Sequence, residues 1–408
     1  MKAVQQAVDR VMRQDRGRLV ATLAATFNDF TLAEDALQDA LFIALEKWGN
    51  GRVPENPAAW LYQVAKRRAL DVVRRSKNLN SKIPDIQIVM DEREQSEEYE
   101  VGDHRLRLMY TCCHPALDPE VQIALTLYTV GGLRIPEIAK AFLVKTPTMA
   151  ARITRAKHKI QKACIPFALP DEAERTERLV VILQVIYLIY NEGYAATEGQ
   201  NQLRLDLCEE ALFLARMVLE LSPNEPEVIG LIALIQFSHA RRAARSGAQK
   251  QYLPMAEQDR ALWDHEMIRD AHNLLTKAMQ QARIGPYQVQ AAIHGLHCDT
   301  KAGEAPDWPQ ISGLYSVLLR LEDSPVVRLN YAVAVSFAQS PEIALGIIAP
   351  VAAELEFYQP YYVALADISR RAGQMNKAIT AYDRAIEFSG VTGEKEFLLE
   401  QRQRCYVS

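Results

Sequence analysis

The chain has 408 residues, of which 49% are hydrophobic and 24% charged, and its formal net charge is −4. These proportions describe two or three globular domains and exclude a chain disordered throughout; 18 glycines and 19 prolines likewise exclude collagen-like and low-complexity sequence. Charges recur every few residues near the N-terminus, no apolar run reaches bilayer-spanning length, and six cysteines form no disulfide framework, so a reducing cytoplasmic setting without a membrane is expected.

In chain order, residues 3–27 read as one helix. A second follows with Phe30, Leu32, Ala36, Leu37, Ala40, Leu41 and Leu45 at helical spacing, opened by Thr31 and Glu34 as a capping box. Gly49, Asn50, Gly51, Pro54 and Pro57 break the chain, and a basic helix runs from about Pro57 to Arg75. Residues 76–100 are polar and acidic and read as a flexible linker. Helices are predicted over 103–113 and 119–130, with Pro119 in the first turn of the latter, followed by Gly131-Gly132 and two short helices. Pro166 and Pro170 mark a boundary, beyond which the chain is helical almost to its end. Tyr362, Leu365, Ala366, Gly373, Ala378, Tyr382 and Ala385 fit the spaced positions of a tetratricopeptide repeat. Ala332/Ala366 and Ala344/Ala378 are each separated by the 34-residue period of that repeat. Gly390 stands near the position where the repeat expects proline.

Charge divides the chain. Residues 1–169 hold 25 Lys/Arg against 20 Asp/Glu, and residues 170–408 hold 22 against 31. Basic blocks at 60–82 and 134–162 flank an acidic block at 91–103, the pattern of two nucleic-acid-facing modules on a tether. The segment Ile135–Ile160 carries a helix-turn-helix pattern. Ile138, Ala139 and Phe142 form the inner face of its first helix and Val144 packs in the turn. Thr146 is placed as the cap of the second helix with Pro147 at its first position. Met149, Ile153 and Ile160 point inward, leaving Thr148, Arg152, Arg155, Lys157 and Lys159 for solvent or DNA. Arginine can read guanine with two hydrogen bonds, whereas lysine near the helix end suits phosphate.

With these motifs the chain resembles a bacterial sigma factor of the extracytoplasmic-function type, in the subgroup with a long C-terminal tetratricopeptide-like extension. Ala33–Ala40 and Ala58–Arg75 match region 2, and Gly131–Leu143 with the following helix match region 4. Thr111–Leu117, Asn191–Tyr194, Gln258–Arg260, Gly285–Ile293, Asp307-Trp308 and Pro325–Asn330 match marks of the subgroup. The resemblance implies an all-α protein: a region 2 domain (1–78), an acidic linker (79–102), a region 4 helix-turn-helix domain (103–166) and an α-solenoid-like extension (171–408). Implied partners are promoter DNA and the RNA polymerase core, through its beta-prime clamp helices and beta flap, with a possible contact between the extension and the sigma domains.

Carried onto matching residues, the resemblance places Asp35 and Asp39, one turn apart, against the clamp helices. Arg52, Glu55 and Asn56, in the loop corresponding to the specificity loop, meet the promoter's −10 element. Trp60 and Tyr62 supply rings and Lys66, Arg67, Arg74 and Arg75 charge, as single-strand capture requires. Arg68 stands where the wider family often has asparagine. Arg134, Thr146, Thr148, Arg152, Arg155, Lys157 and Lys159 face the −35 element. The extension is expected to support the sigma regions at the separation of the two promoter elements, or else to restrain them.

No cofactor, metal or enzymatic chemistry is expected, since no glycine-rich phosphate loop follows a strand pattern. Cys112-Cys113-His114 lacks structural zinc spacing and reads as buried cysteines before a helix end. His294, His297 and Cys298 lack a fourth ligand. Asn191–Tyr194 reads as a helix end capped by Gly193. The competing reading is a helical DNA-binding or scaffold protein that takes a protein or peptide through its C-terminal repeats.

Overall fold

A computed structural model describes residues 2–49, 53–79, 104–142, 144–194, 205–244, 255–301, 303–390 and 392–406, and all regular structure among them is helical. The chain divides into two compact units: Met1–Glu192 with Glu209–Leu214, and Gly193–Cys208 with Ala215–Ser408. The acidic linker lies almost wholly outside the described residues.

The first unit opens with α1 (Lys2–Gln14), α2 (Arg16–Phe27), α3 (Phe30–Gly49) and α4 (Pro57–Leu79). The single helix expected over 3–27 is therefore two. The break at Asp15 turns α2 so that Leu19, Val20, Leu23 and Ala24 are fully buried, and it brings Gly17 against the Val130 backbone. A Cβ at Gly17 would stand 2.7 Å from the Val130 carbonyl oxygen, so only glycine permits this approach. The capping box expected at Thr31 and Glu34 is also replaced. Asp29 Oδ1 accepts from the Leu32 N–H at 3.0 Å, which leaves the Glu34 carboxylate free for a longer-range partner.

Next come α5 (Arg105–Cys112), α6 (Pro119–Thr129), α7 (Ile135–Ala141) and α8 (Thr146–Lys162). Ile138, Ala139, Met149, Ile153 and Ile160 are buried as their spacing predicts, and Phe142 and Val144 are half-buried. Pro147 lies in the first turn of α8, but Thr146 is its first helical residue and Lys145 occupies the cap with no side-chain bond. Cys112 and Cys113 are buried, each with its sulfur near a threonine hydroxyl of α6. Burial pushes both thiols up, Cys113 to about 12, so they remain protonated.

The expected C-terminal boundary at 171 falls before α9 (Glu172–Tyr194), most of which packs in the first unit. Buried Arg178 donates through Nη1 to the Tyr110 carbonyl at 3.1 Å, and Ile189 lies beside Gly131. Part of α10 (Leu205–Leu221) belongs there too: Arg105 bonds both Glu210 carboxylate oxygens at 2.5 Å and stacks over Phe213. Gly193 is a residue of close packing rather than a cap, because a Cβ there would meet the Cys208 backbone N at 2.8 Å.

The second unit contains α11 (Pro226–His239), α12 (His265–Met279), α13 (Pro286–Asp299) and α14 (Trp308–Leu321). They are followed by α15 (Pro325–Ala338), α16 (Pro341–Ile348), α17 (Gln359–Arg371), α18 (Met375–Phe388) and α19 (Thr392–Arg404). Helix α11 is apolar around its middle, Val228–Ile235, and every residue but Glu227 is buried, as suits a core helix. Gly230 lets the Gln288 backbone of α13 approach to where a Cβ would stand at 2.9 Å from its nitrogen. From α14 onward each helix packs mainly on its neighbours in sequence, the one-dimensional stacking of a helical repeat. Ala332, Ala344, Ala366 and Ala378 are all 0% exposed, so the 34-residue spacing marks true crossing points. Gly373 has φ +73°, a left-handed residue between α17 and α18 that favours glycine. Ser324 and Ser340 accept from backbone N–H groups of Val327 and Ile343, each with proline next in sequence.

Candidate nucleic-acid and polymerase interface

Asp35 and Asp39 stand on the exposed side of α3, while Ala36, Leu37 and Ala40 face the core. Phe42, one turn beyond Asp39, is 65% exposed, and Leu45 continues the same apolar exposure. The periodicity of α3 counted Leu45 as core and did not single out Phe42. The Asp35 carboxyl is pushed up by partial burial and by Glu34, Asp39 and Asp29, against the pull of Lys157.

On α4, Arg67, Arg74 and Arg75 are exposed and Lys66 is half-buried, its ammonium 6.0 Å from the Tyr62 ring centre. Tyr62 is only 9% exposed, so its ring belongs to the core, contrary to the expectation that it is offered to DNA. The cause is helical phase: Tyr62 follows buried Leu61 and precedes buried Ala65 by three positions. Trp60 is half-buried, its ring centre 5.3 Å from that of buried Trp48 at a 59° tilt. Asn56 is exposed, but its side-chain oxygen accepts from the Ala59 N–H at 3.0 Å and caps α4. Glu55 and Asn56 border a cavity of about 280 Å³ with Arg10, Val11, Asp15 and Pro54. Arg52 lies outside the described residues.

In the helix-turn-helix, Thr146, Thr148, Arg155 and Lys159 are exposed. Arg152, Arg155 and Lys159 border a groove of about 610 Å³ closed on its other side by Leu117–Val121. Arg152 Nη1 lies 3.2 Å from the exposed Glu120 carboxylate, a contact that water screens. Arg134 is half exposed and gives its guanidinium to buried Glu137 at 2.9 Å, anchoring the start of α7. Lys157 departs from the expected outward set. It pairs with Glu34 on α3, and its ammonium lies 4.7 Å from the Tyr128 ring centre. Arg16 completes this cluster, with Nη2 2.7 Å from Glu34 Oε1 and its guanidinium 3.9 Å above Tyr128. Regions 2 and 4 are thus joined by a buried carboxylate held between two cations. Sequence spacing gave no sign of it, because the partners are far apart in the chain.

The sigma-70 region 2 family matches residues 11–78, the sigma-70 region 4 family matches residues 107–160, and a family of unknown function (DUF6596) matches residues 178–279. The two matched regions contain the exposed basic helices α4 and α8, and they make the protein a sigma factor with a role in promoter recognition. An uncharacterized protein of Rhizobium meliloti (strain 1021) is 39% identical over 401 residues, covering 97% of this chain and 95% of that one. The chain belongs to the extracytoplasmic-function type sigma factors that carry a C-terminal extension. The crystal structure of yeast Tom70 aligns with 100% of this chain and 86% of its own at 11% identity and a TM-score of 0.33. No helix among the described residues is long and apolar enough to cross a membrane.

Proposed function

We propose that the protein binds the RNA polymerase core through the exposed face of α3, with Asp35, Asp39 and Phe42 against the clamp helices. Helix α4 and the loop before it take the −10 element, using Trp60, Lys66, Arg67, Arg74 and Arg75, and α8 takes the −35 element. The observation that carries this reading is the division of α8: Met149, Ile153, Ala156 and Ile160 are buried, while Thr148, Arg155 and Lys159 remain open beside Arg152. Displacing Glu120 from Arg152 costs little at an exposed site, so Arg152 is available for a base edge.

Lys157 and Glu34 give the proposal a second step. A lysine of α8 is held beside Asp35, so core binding at α3 and release of α8 are coupled through one carboxylate. The C-terminal unit supports the two regions at the separation the promoter elements require. Promoter binding by reconstituted holoenzyme tests the reading. Arg152→Ala is expected to lose about 1–3 kcal/mol on the cognate −35 sequence and little on scrambled DNA. Arg155→Ala is expected to weaken both and lower the salt dependence. Unchanged binding by both variants removes α8 from the interface.

A further inference from the structure

The C-terminal unit buries an arginine that has no ion-pair partner among the described residues. Arg241, just past the end of α11, is 3% exposed. Among the described residues its hydrogen bond is from Nε to the Phe237 carbonyl, at 3.3 Å, which leaves its Nη groups unused. Arg260 supplies a second cation. Its guanidinium lies 4.7 Å from the Trp263 ring centre, and its Nη1 is buried with no hydrogen-bond partner; nor has the buried Trp263 Nε1 one. The Asp264 N–H donates to the Ala240 carbonyl at 2.9 Å, which fixes the 260–264 segment against the end of α11. That contact brings the segment carrying Arg260 to the helix end that carries Arg241, and both guanidinium groups act electrostatically on His297 and Cys298 of α13.

Among the described residues no carboxylate forms an ion pair with Arg241 or Arg260. Burial, then Arg241, drives His294 well down, and burial with Arg241 and Arg260 brings His297 to about 4, so both imidazoles are neutral near pH 7. Burial pushes the Cys298 thiol up to about 11, so it carries no negative charge. Nearby carboxylates hold other groups: Asp259 caps Ala261, Asp264 caps α12 through one oxygen and lies 3.8 Å from Arg242 through the other, and Asp299, which also acts on Cys298, holds His272 at 2.9 Å. The segment 245–254 that follows this helix end, RSGAQKQYLP, contains no acid. Taking a guanidinium out of water without a counter-charge costs several kcal/mol, so a protein that keeps one there has a reason beyond packing. Ser238 Oγ, 2.9 Å from His294 Nδ1, adds a neutral hydroxyl beside the same helix end.

We propose that Arg241 and Arg260, with the Trp263 indole N–H and the Ser238 and His294 pair, form a binding site for a small oxyanion, the phosphate of a monoester or a carboxylate. The planar guanidinium fork matches either group, and the indole N–H adds a donor without adding charge. This goes beyond the sigma-factor reading and stands on the C-terminal helices alone.

The test is calorimetric titration of the full-length protein with inorganic phosphate and, separately, with acetate, at constant ionic strength against a chloride control. Saturable binding of one anion per chain is expected. Preference for phosphate assigns the site to a phosphate ester and preference for acetate to a carboxylate. Arg241→Gln and Arg260→Gln should each weaken it by about tenfold or more, as loss of a charge-assisted bond requires. Without anion, Arg241→Gln should unfold no earlier than the parent protein, because it removes a buried charge that lacked a partner. Should Arg241→Gln fail to fold, Arg260→Gln decides by the same titration. Absence of saturable binding by either anion, or binding unchanged in the folded variants, overturns the proposal.

Discussion

The two units are held together in different ways. In the first, the decisive contacts join residues far apart in the chain: Glu34 between Arg16 and Lys157, Arg105 with Glu210, Arg178 with the Tyr110 carbonyl, and Gly17 against Val130. In the second, helices from α14 onward are punctuated locally by Ser324, Ser340 and Gly373 and cross at small residues spaced by 34. The first unit is joined by a few charged contacts between distant segments, whereas the second repeats a local rule. Breaking a long-range contact should therefore act on the whole first unit, whereas breaking a local one should stay near its own helix pair.

The largest effect is expected from Glu34→Gln. It leaves Arg16 and Lys157 facing each other without the carboxylate, and the loss should be about 3 kcal/mol in denaturant unfolding of the first unit. In a double-mutant cycle with Lys157→Met, a coupling of roughly 0.5 kcal/mol or more marks a true joint between regions 2 and 4, and zero coupling dissolves it. The next effect concerns where the first unit ends. A fragment cut at 170, the boundary the sequence suggests, lacks α9, Glu210 and Phe213. It should be less stable than a fragment ending at 216 by roughly 2 kcal/mol, or about 4–8 °C in Tm. Equal Tm values would return the boundary to 170.

Acid should act more strongly on the second unit. His239 and His297 are brought to about 4 mainly by burial, so they stay neutral when folded but protonate near 6.5 when unfolded. Their contribution is fully present above about pH 6.5 and is lost as pH falls toward about 4, since the unfolded chain then binds more protons. Fluorescence of Trp263 and Trp308 should follow this loss, and His297→Gln should flatten it. The smallest effect belongs to a cap. Ser340→Ala should cost about 1 kcal/mol, with hydrogen exchange speeding up in α15 and α16 and unchanged in α11.

Much of this division is legible along the chain. The helix-turn-helix shows because its buried residues recur at helical spacing around Pro147, and the repeat shows because Ala366 and Ala378 copy Ala332 and Ala344 one period later. Sequence pattern and structure part where two signals compete locally. Thr31 with Glu34 satisfies the capping pattern, yet Asp29 takes the cap and Glu34 goes to Arg16. Tyr62 is an aromatic among basic residues, but helical phase sends it inward. Gly193 has the composition of a helix end, while the structure uses its missing side chain to admit Cys208.

The sequence by itself determined the helices, the order of the sigma regions and the extension, and most residues of the basic faces. These depend on local periodicity, on proline and cap chemistry, and on charge composition, which are written within a few turns of chain. Only the tertiary structure decided that Lys157 turns to Glu34, that α9 and Glu210 belong with the sigma regions, and that the 260–264 segment meets the end of α11 beside buried Arg241. Each of those depends on which distant residues meet and on how far water is excluded between them. A charge has the same letter whether solvated or buried, so its physical meaning is set by packing.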